Sequence, residues 1–286
     1  MIATATDVHA LKNAAGTGLA LHYLPAEASA GKPVLLTHGT FSNHRSCRGL
    51  AQHLNKRGFD CWLLDNQGHG LSEPPLQAPD FEQMYLDDAS AAVDFLKQRY
   101  NHQKLAWVGH SGGGLGALMY LAREPDRQAT FSSIVTLASQ ATDAAVRPLN
   151  RSLIRLAQVT TRVLGYAPGH RLRLGPEAEF GAVMQQWYDW SLSGRWLGRD
   201  GFDYEASLPR VSVPTMMMAG SADRFIAPVS GCVRLFNQLG AEQSSFVRCG
   251  LDGGFSEDYS HARIISSRAA ATDIWPLITS WLLDHD

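Results

Sequence analysis

The sequence predicts an α/β fold, a mostly parallel β-sheet with helices on both faces and a helical segment inserted past its middle. Three observations carry that prediction. Short β-rich runs alternate with helical patterns along the chain. Most of the runs are apolar throughout, as strands covered on both faces must be. One interval, from Ala138 to Thr215, is about seventy residues long, far beyond a usual crossover.

The β-rich runs are Val34–Thr37, Cys61–Leu64, Leu105–Val108, Ser133–Leu137, Thr215–Ala219 and Ser245–Arg248. Helical patterns lie between and after them. Ser46–Arg57 ends at Gly58, suited to a left-handed cap, and Asp87–Tyr100 has acids in its first turn. Gly112–Arg123 stops before Pro125, Val229–Leu239 ends at Gly240, and Asp273–Leu283 closes the chain. Ahead of all these, Val8–Leu24 reads as an antiparallel hairpin turning at Gly16-Thr17-Gly18. Residues 1–140 and 215–286 therefore form the core, and 141–214 form a helical cap over the sheet edge.

The 286 residues are 45% hydrophobic and 18% charged, with a formal net charge of −2. No global electrostatic footprint for nucleic acid exists. Cys47, Cys61, Cys232 and Cys249 show no CxxC pairing, and Cys61 falls in an apolar run as a small buried side chain would. A reducing compartment and a cytoplasmic location are expected. The opening residues lack a basic start and a long apolar stretch, so no secretory signal is read there, and no window reaches a membrane span. The histidines are scattered without metal-ligand spacing, so neither a metal nor a cofactor is expected.

The chemistry centres on Gly109-His110-Ser111-Gly112-Gly113, which follows the run Leu105–Val108 and opens the helical pattern Gly112–Arg123. A nucleophile on a sharp strand-to-helix turn adopts a strained backbone, and side chains on its flanks would clash, hence the glycines. The turn lifts the Ser111 hydroxyl clear of the sheet. It also puts the Gly112 N–H at a helix N-terminus, where a developing oxyanion is stabilised.

On these residues the chain resembles the α/β-hydrolase superfamily over nearly its whole length, which implies an eight-stranded type of sheet. Leu36-Thr37-His38-Gly39-Thr40-Phe41 resembles the family's HG oxyanion loop. Leu64-Asp65-Asn66-Gln67-Gly68-His69-Gly70-Leu71-Ser72 resembles its DxRGHGxS segment, with Gln67 in place of the arginine. Ala219-Gly220-Ser221-Ala222-Asp223 matches the segment after the penultimate strand. The resemblance implies an oxyanion hole of the Gly112 and Thr40 N–H groups, with Phe41 beside it. His38 then holds the loop.

A serine hydroxyl needs a base, and the base needs a carboxylate to fix its tautomer. In this fold the chain order is serine, acid, histidine. Downstream of Ser111 stand His170, His261 and His285. His285 is at the end of the chain and His170 is in the inserted segment. His261 follows the last strand through the Gly250–Gly254 loop and precedes the last helix, where the fold delivers its base. For the acid, Asp223 ends a strand, while Asp143 follows the preceding strand, and Asp252 and Asp258 sit in the histidine loop. Strand-end placement favours Asp223, with Asp143 as the rival.

The stretch from Asp258-Tyr259-Ser260-His261 to Ile274-Trp275-Pro276-Leu277-Ile278 resembles the tail of acid-lipase-like hydrolases and polyhydroxyalkanoate synthases, and Gly58–Asp65 strengthens that likeness. The synthases use a cysteine. Ser111 in its place favours water as acyl acceptor, so the resemblance implies a carboxylesterase or lipase acting on a small acyl ester through an acyl-enzyme. The same residues suit a thioesterase, lactonase, amidase or acyltransferase. An idle binding protein of this fold would often lack one of the three. Phe41, His110, Trp187 and Trp190 are candidates for the substrate side, with local hydrogen bonding the alternative for His110 and cap packing for Trp187, Tyr188, Trp190 and Trp196. In Arg147–Leu164, Leu149, Leu153, Leu156 and Val163 recur with Arg151, Arg155 and Arg162, an amphipathic pattern with a basic face. It reads either as a helix touching anionic lipid or an acidic group, or as a cap helix with a solvated outer face.

Overall fold

A computed structural model describes residues 7–27 and 31–285. Residues 1–6, on which part of the leader reading rests, lie outside the described residues. The strands are β1 (Asp7–Lys12), β2 (Gly18–Leu24), β3 (Lys32–Thr37), β4 (Phe59–Asp65), β5 (Leu105–His110), β6 (Phe131–Leu137), the two-residue β7 (Tyr166–Ala167) and β8 (Glu179–Phe180), β9 (Thr215–Gly220) and β10 (Ser245–Cys249). Eight form one sheet in the order β1-β2-β4-β3-β5-β6-β9-β10, and β7 pairs with β8 alone. Only β1–β2 and β2–β4 run antiparallel within the large sheet. All the other pairings are parallel.

The continuous apolar runs have a direct cause. Side chains alternate across a strand, and both faces here are covered. Leu35, Trp62, Leu64, Trp107, Ile134 and Met217 enter one core. Their neighbours Val34, Leu36, Cys61, Leu63, Val108, Val135, Met216 and Met218 enter the other. The first core is closed by α2 (Asp88–Arg99) and α3 (Gly112–Arg123). The second is closed by α1 (Arg48–Asn55), by Val229–Phe236 and by Trp275–Asp284. Strand β10 is the exception: it is an edge strand, mostly half-buried, with Arg248 exposed. All four cysteines are free and buried. Burial pushes the Cys47 and Cys249 thiols up to about 12.

Several boundaries shift for local reasons. The N-terminal hairpin turns earlier than Gly16-Thr17-Gly18, because Gly18 already pairs with Lys12. Asn13 closes the turn by accepting from the Thr17 N–H at 3.0 Å, and Gly16 takes the left-handed φ of +83°. Helix α1 starts two residues late, since Asn43 caps a preceding 3₁₀ turn, His44–Ser46. Helix α2 is preceded by a π-helical turn, Gln83–Asp87.

Between β6 and β9 the chain makes α4 (Pro148–Leu164), the β7–β8 pair and α5 (Gly181–Ser193). This segment divides in two. Ala144, Ala145, Ile154, Ala167, Met184 and Tyr188 form a small core of their own with Phe41. Trp190, Trp196, Tyr204, Leu208 and Val211 instead join the core under α2 and α3. The segment thus contributes side chains to both cores. Apart from helices of six residues or fewer, those that remain among the described residues are α6 (Val229–Phe236) and the closing α7 (Trp275–Asp284).

Gln67, standing where the resemblance leads one to expect arginine, donates to Asp88 from its backbone N–H at 2.7 Å and its Nε2 at 3.0 Å. Asn13 Nδ2 donates to the same carboxylate at 2.8 Å. All three donors are neutral, and burial pushes the Asp88 carboxyl up to about 7 despite them. A carboxyl whose folded value exceeds its unfolded one keeps a proton on folding, so it erodes stability as pH rises from about 4 to about 7. Relative to Asp88→Asn, the parent chain therefore loses stability across that interval in urea titrations. Parallel pH profiles would show that Asp88 does not titrate this way.

Candidate active site

The site lies at the carboxyl ends of the central strands. Strand β5 ends at His110, and Ser111 follows with φ 53° and ψ −119°, outside the regions open to most L-residues. The turn is held from several sides. The Ser111 N–H donates to the Leu137 carbonyl at 2.8 Å. Its own carbonyl accepts from the Ser139 hydroxyl at 2.9 Å. A Cβ on Gly109 would stand 2.5 Å from the Gly113 backbone, and one on Gly113 would stand 2.5 Å from the Thr37 carbonyl oxygen. Gly109 and Gly113 are therefore required by backbone-to-backbone approach.

Ser111, His261 and Asp223 come together. His261 Nε2 is 2.9 Å from Ser111 Oγ, and His261 Nδ1 is 2.5 Å from Asp223 Oδ2. Asp223 is buried and also accepts from the Ile226 N–H at 3.1 Å. Burial works to raise its carboxyl, but the His261 and backbone hydrogen bonds outweigh that and hold it below the usual carboxylate range. The rival acids point elsewhere. Asp143 lies 3.4 Å from the Arg234 guanidinium, Asp252 pairs with Arg248 at 2.9 Å, and Asp258 accepts from the Leu251 N–H at 3.0 Å.

The Thr40 and Gly112 N–H groups find no partner within the chain among the described residues, and both residues wall the cavity that holds Ser111. The Phe41 N–H is occupied. At φ +62° it donates to Glu179 Oε2 at 3.2 Å. The loop is fixed from below by His38, whose Nδ1–H donates to the Gly39 carbonyl at 2.8 Å while Nε2 accepts from the Asn66 N–H at 3.2 Å. Burial, aided by nearby His69, pushes the His38 imidazole down to about 4, so it stays neutral in that role.

Of the substrate-side candidates, Phe41 and Trp187 lie in the cavity wall, beside Leu115, Ile154, Met184, Tyr188 and Phe225. His110 and Trp190 do not. His110 Nε2–H donates to the His261 carbonyl at 2.8 Å. Burial and the His261 neighbour push the His110 imidazole down to about 3, so it braces the base's backbone as a neutral ring. Trp190 is turned into the main core, with Nε1–H on the Leu197 carbonyl at 2.7 Å and its ring edge-on to Phe81 at 5.0 Å. Three residues apart on α5, the two indoles are near neighbours around the helix, and it is the packing of Trp190 on Phe81 and Leu197 that separates it from Trp187.

Two further residues shape the site with no sequence signal. Ser139 sits just past β6, and Glu179 reaches in from β8. Glu179 is buried 3.3 Å from His69 Nε2. Burial alone would lower the His69 imidazole, but the Glu179 carboxylate reverses this and pushes it up to about 9. A second histidine cluster lies apart from Ser111. His22 and His44 both donate to Asp65, at 2.8 and 2.9 Å. Their rings stack at 3.6 Å with 24° between planes.

Comparison with known proteins agrees with this architecture. Residues 32–162 match a family model described as the alpha/beta hydrolase fold. The AB hydrolase superfamily protein YisY of Bacillus subtilis is 27% identical over 232 residues, 76% of this chain and 82% of the relative. A poly(3-hydroxyalkanoate) polymerase subunit of Haloferax mediterranei is 20% identical across 93% of this chain and 61% of its own length. Among solved structures, a thermophilic esterase from Thermogutta terrifontis superposes with TM-score 0.66 at 18% identity, covering 98% of this chain and all of the other.

The His69–Glu179 pair gives a pH-dependent test. A histidine whose folded value is raised contributes stability that is fully present below about 6.5 and is lost as pH rises through about 9. Glu179→Gln removes that alkaline decline and lowers stability near neutrality by about 3–5 kcal/mol, the usual result of orphaning one member of a buried pair. Denaturant titrations of both chains across this range read the difference. A variant keeping the parent's alkaline slope would assign that slope to another group.

Proposed function

We propose that this chain, whose fold is that of the alpha/beta hydrolases, is a serine hydrolase that cleaves a carboxylic ester through an acyl-enzyme. One observation carries the reading: the hydrogen-bonded chain Asp223–His261–Ser111 stands in the wall of an apolar cavity, beside two N–H donors without partners. Three side chains from three distant segments meet in one line, which a binding protein has no need to maintain.

The steps follow from the atoms. As Ser111 Oγ attacks the acyl carbonyl, His261 Nε2 takes its proton, and Asp223 fixes the Nδ1–H tautomer and stabilises the cation formed. The carbonyl oxygen becomes an oxyanion facing the Gly112 and Thr40 N–H groups, each such donor contributing about 2.7–4 kcal/mol to the transition state. The imidazolium returns the proton to the departing alcohol, leaving acyl-Ser111. Water, deprotonated by the same imidazole, then attacks the acyl carbon, and the carboxylic acid and free Ser111 are regenerated. The apolar wall favours an apolar acyl group. A serine rather than a cysteine nucleophile supports water as the acyl acceptor, and the likeness in fold to a thermophilic esterase supports an oxygen ester as the substrate bond.

Ser111→Ala lowers kcat on p-nitrophenyl esters by about 10⁶-fold, and a fluorophosphonate probe labels the parent at Ser111 alone. A labelled peptide elsewhere would move the nucleophile. Asp223→Asn lowers kcat by about 10⁴-fold, whereas Asp143→Asn leaves it within about twofold, because Asp143 pairs with Arg234 and not with His261. The reverse ranking in steady-state assays would reassign the acid.

A further inference from the structure

Helix α4 is amphipathic in the opposite sense to an ordinary surface helix, whose apolar stripe faces the core. In its seventeen residues only Ile154 and Thr161 are buried. On a helix of 3.6 residues per turn, Leu149, Leu153, Leu156 and Val163 share the side turned away from Ile154. They are open to solvent, with Val163 80%, Leu149 71% and Leu156 64% exposed. Ten of the sixteen exposed large hydrophobic residues among the described residues fall between Val146 and Leu174. Arg151, Arg155 and Arg162 line one flank of this face, Arg147 is the N-cap of the helix, and Arg171 and Arg173 follow in the chain beside Leu172 and Leu174. From Ala144 to Pro176 the chain carries these six arginines and no acid, and among the described residues none of the six pairs with a carboxylate.

We propose that the outer face of α4, with the loop through Leu174, docks on an anionic lipid surface and presents the cavity mouth to it. Charge and continuity select this occupant. A fluid surface accepts a convex apolar face without a matching groove, and anionic headgroups meet the flanking guanidinium groups. A second copy packing isologously would bring the same six arginines against their own images. Leu172 and Leu174 belong to both features: they are exposed, and they lie in the wall of the cavity that holds Ser111. An acyl chain leaving the lipid surface therefore enters the cavity across leucine, a role that rests on the proposed hydrolysis of an acyl substrate there.

The test is co-sedimentation of the full chain, carrying Ser111→Ala, with vesicles of phosphatidylcholine alone or mixed with phosphatidylglycerol. That substitution makes the readout independent of hydrolysis, so failure of the hydrolase reading leaves this measurement intact. The expected result is binding at least about tenfold stronger to the anionic mixture and weakened by salt. Leu149→Ser with Leu156→Ser and Val163→Ser abolishes binding to both vesicles. Placed in the active chain, these substitutions leave hydrolysis of a water-soluble p-nitrophenyl ester unchanged, which also shows that the variant folds. Arg151→Gln with Arg155→Gln and Arg162→Gln lowers the anionic partition by about a hundredfold. The proposal is overturned if the parent stays in the supernatant with anionic vesicles, or if the serine variant binds as the parent does. It is likewise overturned if sedimentation velocity finds instead a dimer that the serine variant dissolves.

Discussion

The carboxyl edge of the sheet is organised around a backbone conformation that Ser111 would not adopt unaided. A non-glycine residue at φ 53°, ψ −119° carries strain of about 1–3 kcal/mol, and it persists only because its surroundings leave no alternative. Strand β6 supplies the Leu137 carbonyl and the Ser139 hydroxyl. Strand β3 brings Thr37 and Gly39 so close that neither Gly113 nor Gly39 has room for a Cβ. The same close approach places the Thr40 and Gly112 N–H groups beside one hydroxyl. The strained backbone, the two unpartnered N–H groups and the position of the Ser111 hydroxyl are thus consequences of a single packing arrangement among β3, β5 and β6.

Much of this was legible in the sequence because it is local. The strand positions followed from apolar runs, and α3 was read to the residue because Gly112 and Pro125 bracket it. Ser111 followed from glycine spacing. His261 needed the fold's chain order, and Asp223 needed the strand end before it. Long-range geometry is where the reading thinned. Nothing in the sequence says that Glu179, sixty-eight residues past Ser111, would accept the Phe41 N–H. Nor could spacing show that Trp190 turns away from the cavity while Trp187 lines it. The apolar face of α4 was visible as a pattern, but its direction depends on which side the rest of the chain covers.

Two of the fastenings of the inserted segment differ in their chemistry. Near its middle, Glu179 ties it to His69 and to the oxyanion loop. Farther along, Glu82 accepts from Arg123 at 2.9 Å, from the Arg199 N–H at 2.7 Å and from the Tyr204 hydroxyl. Arg123 also reaches Asp200 and lies over the Phe202 ring at 4.2 Å. Both fastenings bury ionised groups, so they specify position more than they add stability. Helix α4 lies outside either one: it packs on α5 through Ile154, Ala157 and Thr161, and Asn150 Nδ2 donates to the Arg224 carbonyl at 3.3 Å.

The four buried cysteines carry a practical consequence. Thiolate is the reactive form, and burial keeps every native thiol protonated and out of reach of bulky reagents. The natural sequence is therefore already a background for site-directed spectroscopy. One cysteine introduced at a chosen surface position would take a maleimide fluorophore or spin label without first replacing Cys47, Cys61, Cys232 or Cys249. Any residue of the cap can thus be reported on, one at a time, in an otherwise unaltered chain.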